Sequence, residues 1–293
     1  MKLIKPSWDI IEQENTLLGI YKHIEKAGRT CYKSENLITD DSAKKFVDKL
    51  IESKHHAMIE HGTIYLSIPI KLGNQPIIEK YYNNPYSKVA RDTRVHNYCV
   101  TTNLRVIIEN NWVEDLQYLC EPTEKHFKRV TVKFTLDQGV MREFTRHRVM
   151  SFACESTRYC NYNYDKFGNE VTFIIPNWCE NIKEGSYQEK DLNFEVDTKY
   201  TTNEQILLNT LFRAETAYIG LSVIWKPQQV RNILPLATKC DLIMTGFTSD
   251  WKHFFSLRTS IIAETGKPHP QASELADPLY NEFIMRGYIE PLV

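Results

Sequence analysis

Apolar residues set the first expectations. Ile11, Leu17, Leu18, Tyr21 and Ile24 recur at mostly three- and four-residue steps and predict a helix over 9–27, stopped by Gly28. Phe46, Val47, Leu50 and Ile51 repeat that spacing over 41–53, with Asp40, Asp41 and Ser42 as candidate caps. Thr63 to Ile70 alternates through Ile64, Leu66, Ile68 and Ile70, a half-buried strand that Pro69 places at an edge or near its end. The cleanest strand is Val130 to Leu136, ended by Asp137-Gln138-Gly139, after which Val140 to His147 reads as helical. A short apolar strand follows at 171–175 and a polar surface loop at 180–204. Further helices are expected from Glu204 to Ile219 (ending at Gly220), from Gln228 to Leu234 between Pro227 and Pro235, from Phe247 to Thr259, and from Gln271 to Arg286. Asn74, Pro76, Asn83, Asn84 and Pro85 break the pattern in 71–129, which reads as an insertion or arm with a short helix from Val106 to Leu119. Separated strands among long helices predict an α+β fold, a central sheet flanked by helices.

Composition narrows the function. Over 293 residues, 42% hydrophobic and 25% charged content are ordinary for a globular chain with a sizeable core. A net charge of −1 provides no general attraction to nucleic acid, so the basic cluster at 146–158 is local. The seven cysteines are scattered and odd in number, which favours reduced thiols and a cytoplasmic setting. Met1 to Pro6 lacks a signal-peptide apolar stretch, and no apolar run approaches a membrane span. There is no G-x-G-x-x-G and no Walker motif, so any phosphate must be held by side chains.

Arg146-His147-Arg148-Val149-Met150-Ser151-Phe152-Ala153-Cys154-Glu155-Ser156-Thr157-Arg158-Tyr159 has the donors for that task. Guanidinium forks grip phosphate bidentately and hydroxyls complete the shell. For a generic arginine cluster, surface ion pairs are the commoner explanation. On a helix, Arg146 and Arg148 would point about 200° apart and serve different faces or ligands.

The Arg-His-Arg, seven residues, Ser pattern resembles the signature of the flavin-dependent thymidylate synthases. Four other blocks, in order, are similar to that family: His55-His56-Ala57-Met58-Ile59-Glu60-His61, Val230 to Leu236 around Arg231, Thr245 to Arg258 ending in Leu257-Arg258, and His269-Pro270-Gln271. The resemblance implies reductive methylation of dUMP to dTMP, with bound FAD, methylenetetrahydrofolate as carbon donor and NADPH as reductant. It implies a single-domain homotetramer whose active sites lie between subunits, with segments 71–129 and 161–200 longer than the minimal family form. Carried over by position, Arg146, His147 and Arg148 contact FAD, which His55, Phe247, Thr248, Ser249 and His253 line. Glu143, Arg146, Glu155, Ser156, Arg158 and Arg231 hold dUMP, with Ser156 and Arg158 at its phosphate. Arg258 faces the uracil ring, where a permanent cation stabilises the ionised pyrimidine.

Cys154 stands where glutamate or glutamine is expected, Ala57 where a hydroxyl is common, and Gln228 where an acid is common. These departures bear on individual hydrogen bonds. Cys154 reads as an inert buried thiol rather than a nucleophile. Three rival readings remain: a zinc hydrolase using His56, Glu60 and His61, a single-strand binder using the tyrosine- and arginine-rich 80–105, and a family member that only binds nucleotide, which the presence of both Arg258 and Ser156 disfavours. The first is disfavoured because His56 and His61 are five apart, roughly 140° around a helix. The neutral charge disfavours the second.

Overall fold

The computed structural model describes residues 1–194, 202–263 and 266–292. In chain order the elements are β1 (Lys2–Ile4), β2 (Ser7–Ile11), α1 (Leu17–Tyr32), α2 (Ser42–Glu52), β3 (Thr63–Pro69), α3 (Gln75–Tyr82), β4 (Lys88–Asp92), β5 (Asn97–Asn103) and α4 (Leu104–Glu109). They continue with β6 (Arg129–Asp137), α5 (Gln138–Phe144), β7 (Ser151–Cys154), β8 (Thr172–Ile174), β9 (Gly185–Ser186), α6 (Asn203–Ser222), α7 (Pro227–Val230), β10 (Lys239–Phe247), α8 (Thr248–Arg258) and α9 (Pro270–Met285). Among the described residues the strands form three sheets, ordered β2-β6-β10-β7, β3-β5-β4 and β8-β1-β9.

The four-stranded sheet is central and antiparallel at every pairing. Alternation divides its two faces. Val130, Val132, Phe134 and Leu136 of β6, with Cys240, Leu242 and Met244 of β10, pack beneath α5, α8 and α9. The other face carries Thr131, Thr135, Asp241 and Thr245, with Thr131 opposite Thr245 and Thr135 opposite Asp241. This half-polar face meets α1, while Ala153 and Ile243 join its core to α2, β3 and β5. The expected mixture of helices and strands around a central sheet is present.

Several elements differ from expectation. The helix predicted over 9–27 is split: residues 7–11 pair with β6, and α1 starts only after Thr16, whose hydroxyl accepts from the Gly19 N–H at 3.0 Å. Ile11 satisfied the helical spacing by chance, and strand pairing prevailed. Gly28 does not stop α1; a Cβ there would lie 2.7 Å from the Phe46 ring, so glycine lets α2 pack close. Asp41 makes no side-chain cap for α2, and the Ser42 hydroxyl instead donates to Glu25 Oε2 at 2.8 Å. The helix expected from Val106 to Leu119 breaks at Asn111, which takes a left-handed φ of 58°, and resumes as a 3₁₀ turn over 113–118. α6 passes through Gly220 to Ser222. Strand β3 ends at Pro69 on the edge of its sheet, as its proline requires. Part of the polar stretch 180–204, residues 195–201, lies outside the described residues.

Candidate functional site

The strand–turn–helix step that precedes Arg146 is built by Asp137, whose carboxylate accepts from the Val140 N–H at 2.9 Å and caps α5. α5 then packs on α8 through aromatic edges, Phe144 against Phe254 at 4.9 Å and against Phe134 at 5.2 Å. That contact brings residues 115 apart in sequence together. Arg258 Nη1 donates to Glu143 Oε2 at 2.8 Å, Nη2 donates to the Glu143 carbonyl at 3.0 Å, and Nε donates to His147 Nε2 at 3.3 Å. The fork is thereby fixed, with N–H groups left over on both terminal nitrogens. Burial lowers the Arg258 guanidinium below its ordinary value, opposed by Glu143 and assisted by Arg146. His147 is buried and held down to about 4 by burial, then by Arg258 and His253, so it is neutral at pH 7 and can accept from Arg258. The His253 ring stands against it at 5.8 Å.

Arg146 and Arg148 lie in the turns after α5 rather than on a helix, so the helical 200° separation does not apply. Both are exposed, and neither side chain makes a hydrogen bond or ion pair with a described residue. β7 then carries the chain from Ser151 to Cys154, roughly 10 Å at strand rise. A cleft opens at each end of it.

The cleft at the Cys154 end has a volume of about 540 Å³ and is lined by Gln138, Arg142, Glu155, Ser156, Thr157 and Arg231, with an apolar rim from Leu234 to Leu236. Arg142 and Arg231 are exposed and without a partner among the described residues. Ser156 is placed by its N–H, which donates to the Cys31 carbonyl at 2.9 Å. Glu155 turns inward: it accepts from Tyr162 Oη at 3.0 Å, from Lys239 Nζ at 2.7 Å and from the Asp241 N–H at 3.2 Å. Asp241 is itself paired with Lys33 and Lys239, and those lysines with Lys133 hold its carboxyl well below the usual range against the opposing effect of burial. The network fixes the loop from behind. Arg158 is exposed at the margin, donating to Gln228 Oε1 at 3.5 Å with its guanidinium over the Tyr159 ring.

The cleft at the Ser151 end has a volume of about 410 Å³. Arg148 to Ser151 form one side, Gly246, Phe247 and Asp250 another, and Glu60, Tyr86, Lys88, Asn103 and Arg129 the remainder. Ser249 adjoins it, its hydroxyl accepting from Lys88 Nζ at 2.5 Å.

The anticipated residues therefore fall into three groups: Glu143, His147, His253 and Arg258 around the fixed fork; Glu155, Ser156 and Arg231 in the first cleft; Arg148 and Phe247 in the second. His55, Arg146, Arg158 and Thr248 line neither cleft. Sequence reasoning missed Gln138 and Arg142, although one helical turn separates them and puts both on one face of α5. It also missed Lys88 and Arg129, for which no local pattern gives a signal. Burial pushes the Cys154 thiol up to about 11, so it carries little thiolate at neutral pH. All seven cysteines are free.

His56, Glu60 and His61 do not converge. They turn to Glu109 at 2.9 Å, Arg105 at 2.5 Å and Thr245 at 2.8 Å, respectively. Among the described residues no cluster of His, Cys, Asp and Glu is placed to hold a metal ion, and no helix is long and apolar enough to cross a membrane.

Fold and site define an α+β protein with two arginine-bearing clefts joined by one strand and a clamped arginine beside them. Residues 119–284, more than half of the chain, match the family model described as thymidylate synthase complementing protein. The chain belongs to that family, the flavin-dependent thymidylate synthases. Among solved structures it is similar to a UMP/dUMP methylase, PolB, from Streptomyces cacaoi bound with 5-Br UMP, at 15% identity and a TM-score of 0.46, covering 97% of this chain and 92% of that one. It is also similar to thymidylate synthase X from Helicobacter pylori with FAD and dUMP, at 14% identity and a TM-score of 0.39, covering 98% and 100%. No curated protein matches. Membership rests on the matched residues, not on these distant structures.

Proposed function

We propose that this chain catalyses the reductive methylation of dUMP to dTMP in the cytoplasm, with FAD bound, methylenetetrahydrofolate as carbon donor and NADPH as reductant. The observation that carries the reading is the fixed fork of Arg258, held by Glu143 and His147 from the far side of the chain. A uracil ring needs a cation that stays protonated and does not reorganise as charge develops on N3 and O4. Arg258 meets that need because two of its contacts come from a single residue and its third from a neutral imidazole.

The first cleft suits the nucleotide. Arg231, with Arg142 beside it, can fork onto the phosphate while Ser156 donates its hydroxyl. Glu155, its oxygens already engaged, acts by holding Ser156 in place. The second cleft suits a flavin dinucleotide: Arg148 is free to meet phosphate, and Phe247 offers a ring face. When bound, the flavin supplies the hydride and one-carbon transfer chemistry. His55, Arg146, Arg158, Thr248, Ser249 and His253 complete the assignments that the family implies. Several of them line neither cleft of one protomer, which supports a homotetramer with sites shared between subunits. The exposed apolar run Val223, Ile224 and Trp225 at the end of α6 supports the same assembly, since isolated monomers rarely expose such patches.

The test is the absorption spectrum of the purified protein. A flavin band bleached by NADPH and perturbed by dUMP is expected, with dTMP formed once methylenetetrahydrofolate is added. A colourless protein that takes up no FAD overturns the reading.

A further inference from the structure

The chain between β3 and β6 reaches back to the second cleft. Asn84 pins the turn before β4, its Oδ1 accepting from the Tyr86 N–H at 2.9 Å and from Ser87 Oγ at 3.1 Å. Thr102 Oγ1 on β5 can donate to the Ser87 hydroxyl oxygen, 2.8 Å away. Lys88 is thus presented from a fixed turn, with Nζ 4.4 Å from the centroid of the Phe247 ring. Arg129, at the start of β6, lines the same cleft. Its Nη1 donates to the Glu60 carbonyl at 3.1 Å and to Thr63 Oγ1 at 3.2 Å, and its guanidinium stands 5.7 Å from the same Phe247 ring.

The charges in this cleft do not balance. Lys88, Arg129 and Arg148 line it, and none forms an ion pair with a carboxylate among the described residues. Its two acids are engaged elsewhere: Glu60 pairs with Arg105, and Asp250 accepts from the Phe247 N–H at 3.0 Å and from Ser249 Oγ. Burial pulls the Arg129 guanidinium down to about 10, with Tyr65, Glu60 and Asp250 only partly offsetting it. A desolvated cation held by neutral acceptors with no ion-paired carboxylate is costly, and a bound anion relieves that cost.

We propose that Lys88 and Arg129, facing Arg148, form a cationic wall that binds the diphosphate of a dinucleotide in this cleft. The inference rests on the flavin reading only for the choice of dinucleotide. Two dinucleotides of the proposed reaction carry that group, FAD and the nicotinamide reductant. Lys88 touches Ser249 and Phe247 directly, which favours FAD as the occupant.

The experiment compares wild type with Lys88→Ala and Lys88→Arg in the full-length protein. FAD affinity of Lys88→Ala is expected to fall about tenfold, with riboflavin, which lacks the diphosphate, changing less than about twofold and Lys88→Arg retaining most FAD binding. If the wall serves the reductant instead, FAD affinity holds and the NADPH concentration for half-maximal flavin bleaching rises about tenfold. Both outcomes support the wall and distinguish the two sources. Equal losses for FAD and riboflavin, or no change in either arm, overturn it. A wild-type protein that takes up no flavin sinks the functional reading alone. The wall is then judged with inorganic pyrophosphate, whose binding to wild type must weaken in Lys88→Ala.

Discussion

At the scale of single residues, the clamp on Arg258 separates binding from chemistry. Replacing Arg258 with alanine is expected to leave FAD bound while turnover falls by about 10²–10³-fold, the usual scale for losing one preorganised charge partner. Stopped-flow turnover beside the flavin absorbance measures both, and unchanged turnover removes Arg258 from the uracil role. Arg148→Ala should instead lose flavin on gel filtration, because Arg148 has no structural partner whose loss could unfold the chain. Cys154 makes the opposite prediction. With its thiol held near 11 it is not poised to attack, so Cys154→Ala keeps substantial activity; complete loss with FAD still bound would contradict this. Of the motif residues, Arg148, Glu155 and Ser156 reach a cleft and were legible because they sit within fourteen positions, whereas Arg146 and Arg158 line neither cleft. Lys88 and Arg129 were not legible, since the side chains they work beside, Arg148 and Phe247, lie far along the chain.

At the scale of elements, the α5–α8 contact decides whether Glu143 and His147 reach Arg258 at all. Phe144 and Phe254 are both fully buried, and truncating either to alanine should cost about 3–5 kcal/mol. Denaturant unfolding measures that loss, and activity should fall with it as the fork loosens. Period-based reading found α2, α8, α9, β3 and β6 because each buries a face at its own repeat. It missed β10, the strand between β6 and β7, because Ile243 turns its centre into a continuous apolar run, Leu242 to Met244, that masks the alternation of Cys240, Leu242 and Met244 with Asp241 and Thr245. It merged β2 into α1 because five residues of strand carry too little periodicity to resist a neighbouring helix pattern.

At the scale of the whole molecule, two buried imidazoles tie stability to pH. His23 Nε2 meets Thr131 Oγ1 at 2.9 Å and His61 Nδ1 meets Thr245 Oγ1 at 2.8 Å, the two threonines joined at 2.8 Å between β6 and β10. Burial lowers His23 to about 4 and His61 to about 3. The unfolded chain binds protons at these residues near pH 6.5 and the folded chain does not, so stability is full above that pH and falls as pH drops through 6.5 toward 4. His23 alone accounts for about 3 kcal/mol across that window. Thermal melts from pH 8 to 4 should show a plateau and then a decline, and His23→Gln should make that decline shallower while His61 and His147 still contribute. Assembly makes a separate prediction: Ile224→Asp on the exposed run should shift sedimentation toward smaller species and reduce activity, whereas an unchanged sedimentation profile would exonerate that patch.

The strand from Lys239 to Phe247 has one more consequence. It leads from the network behind the first cleft to the ring of the second, and α8 carries it on to Arg258. Its alternation puts Asp241 and Thr245 on one face and Leu242 and Met244 on the other. Inserting one residue would exchange the faces, forcing a carboxylate among phenylalanines. Along this strand the spacing is therefore fixed to the residue. Any relative that keeps both clefts must keep that count.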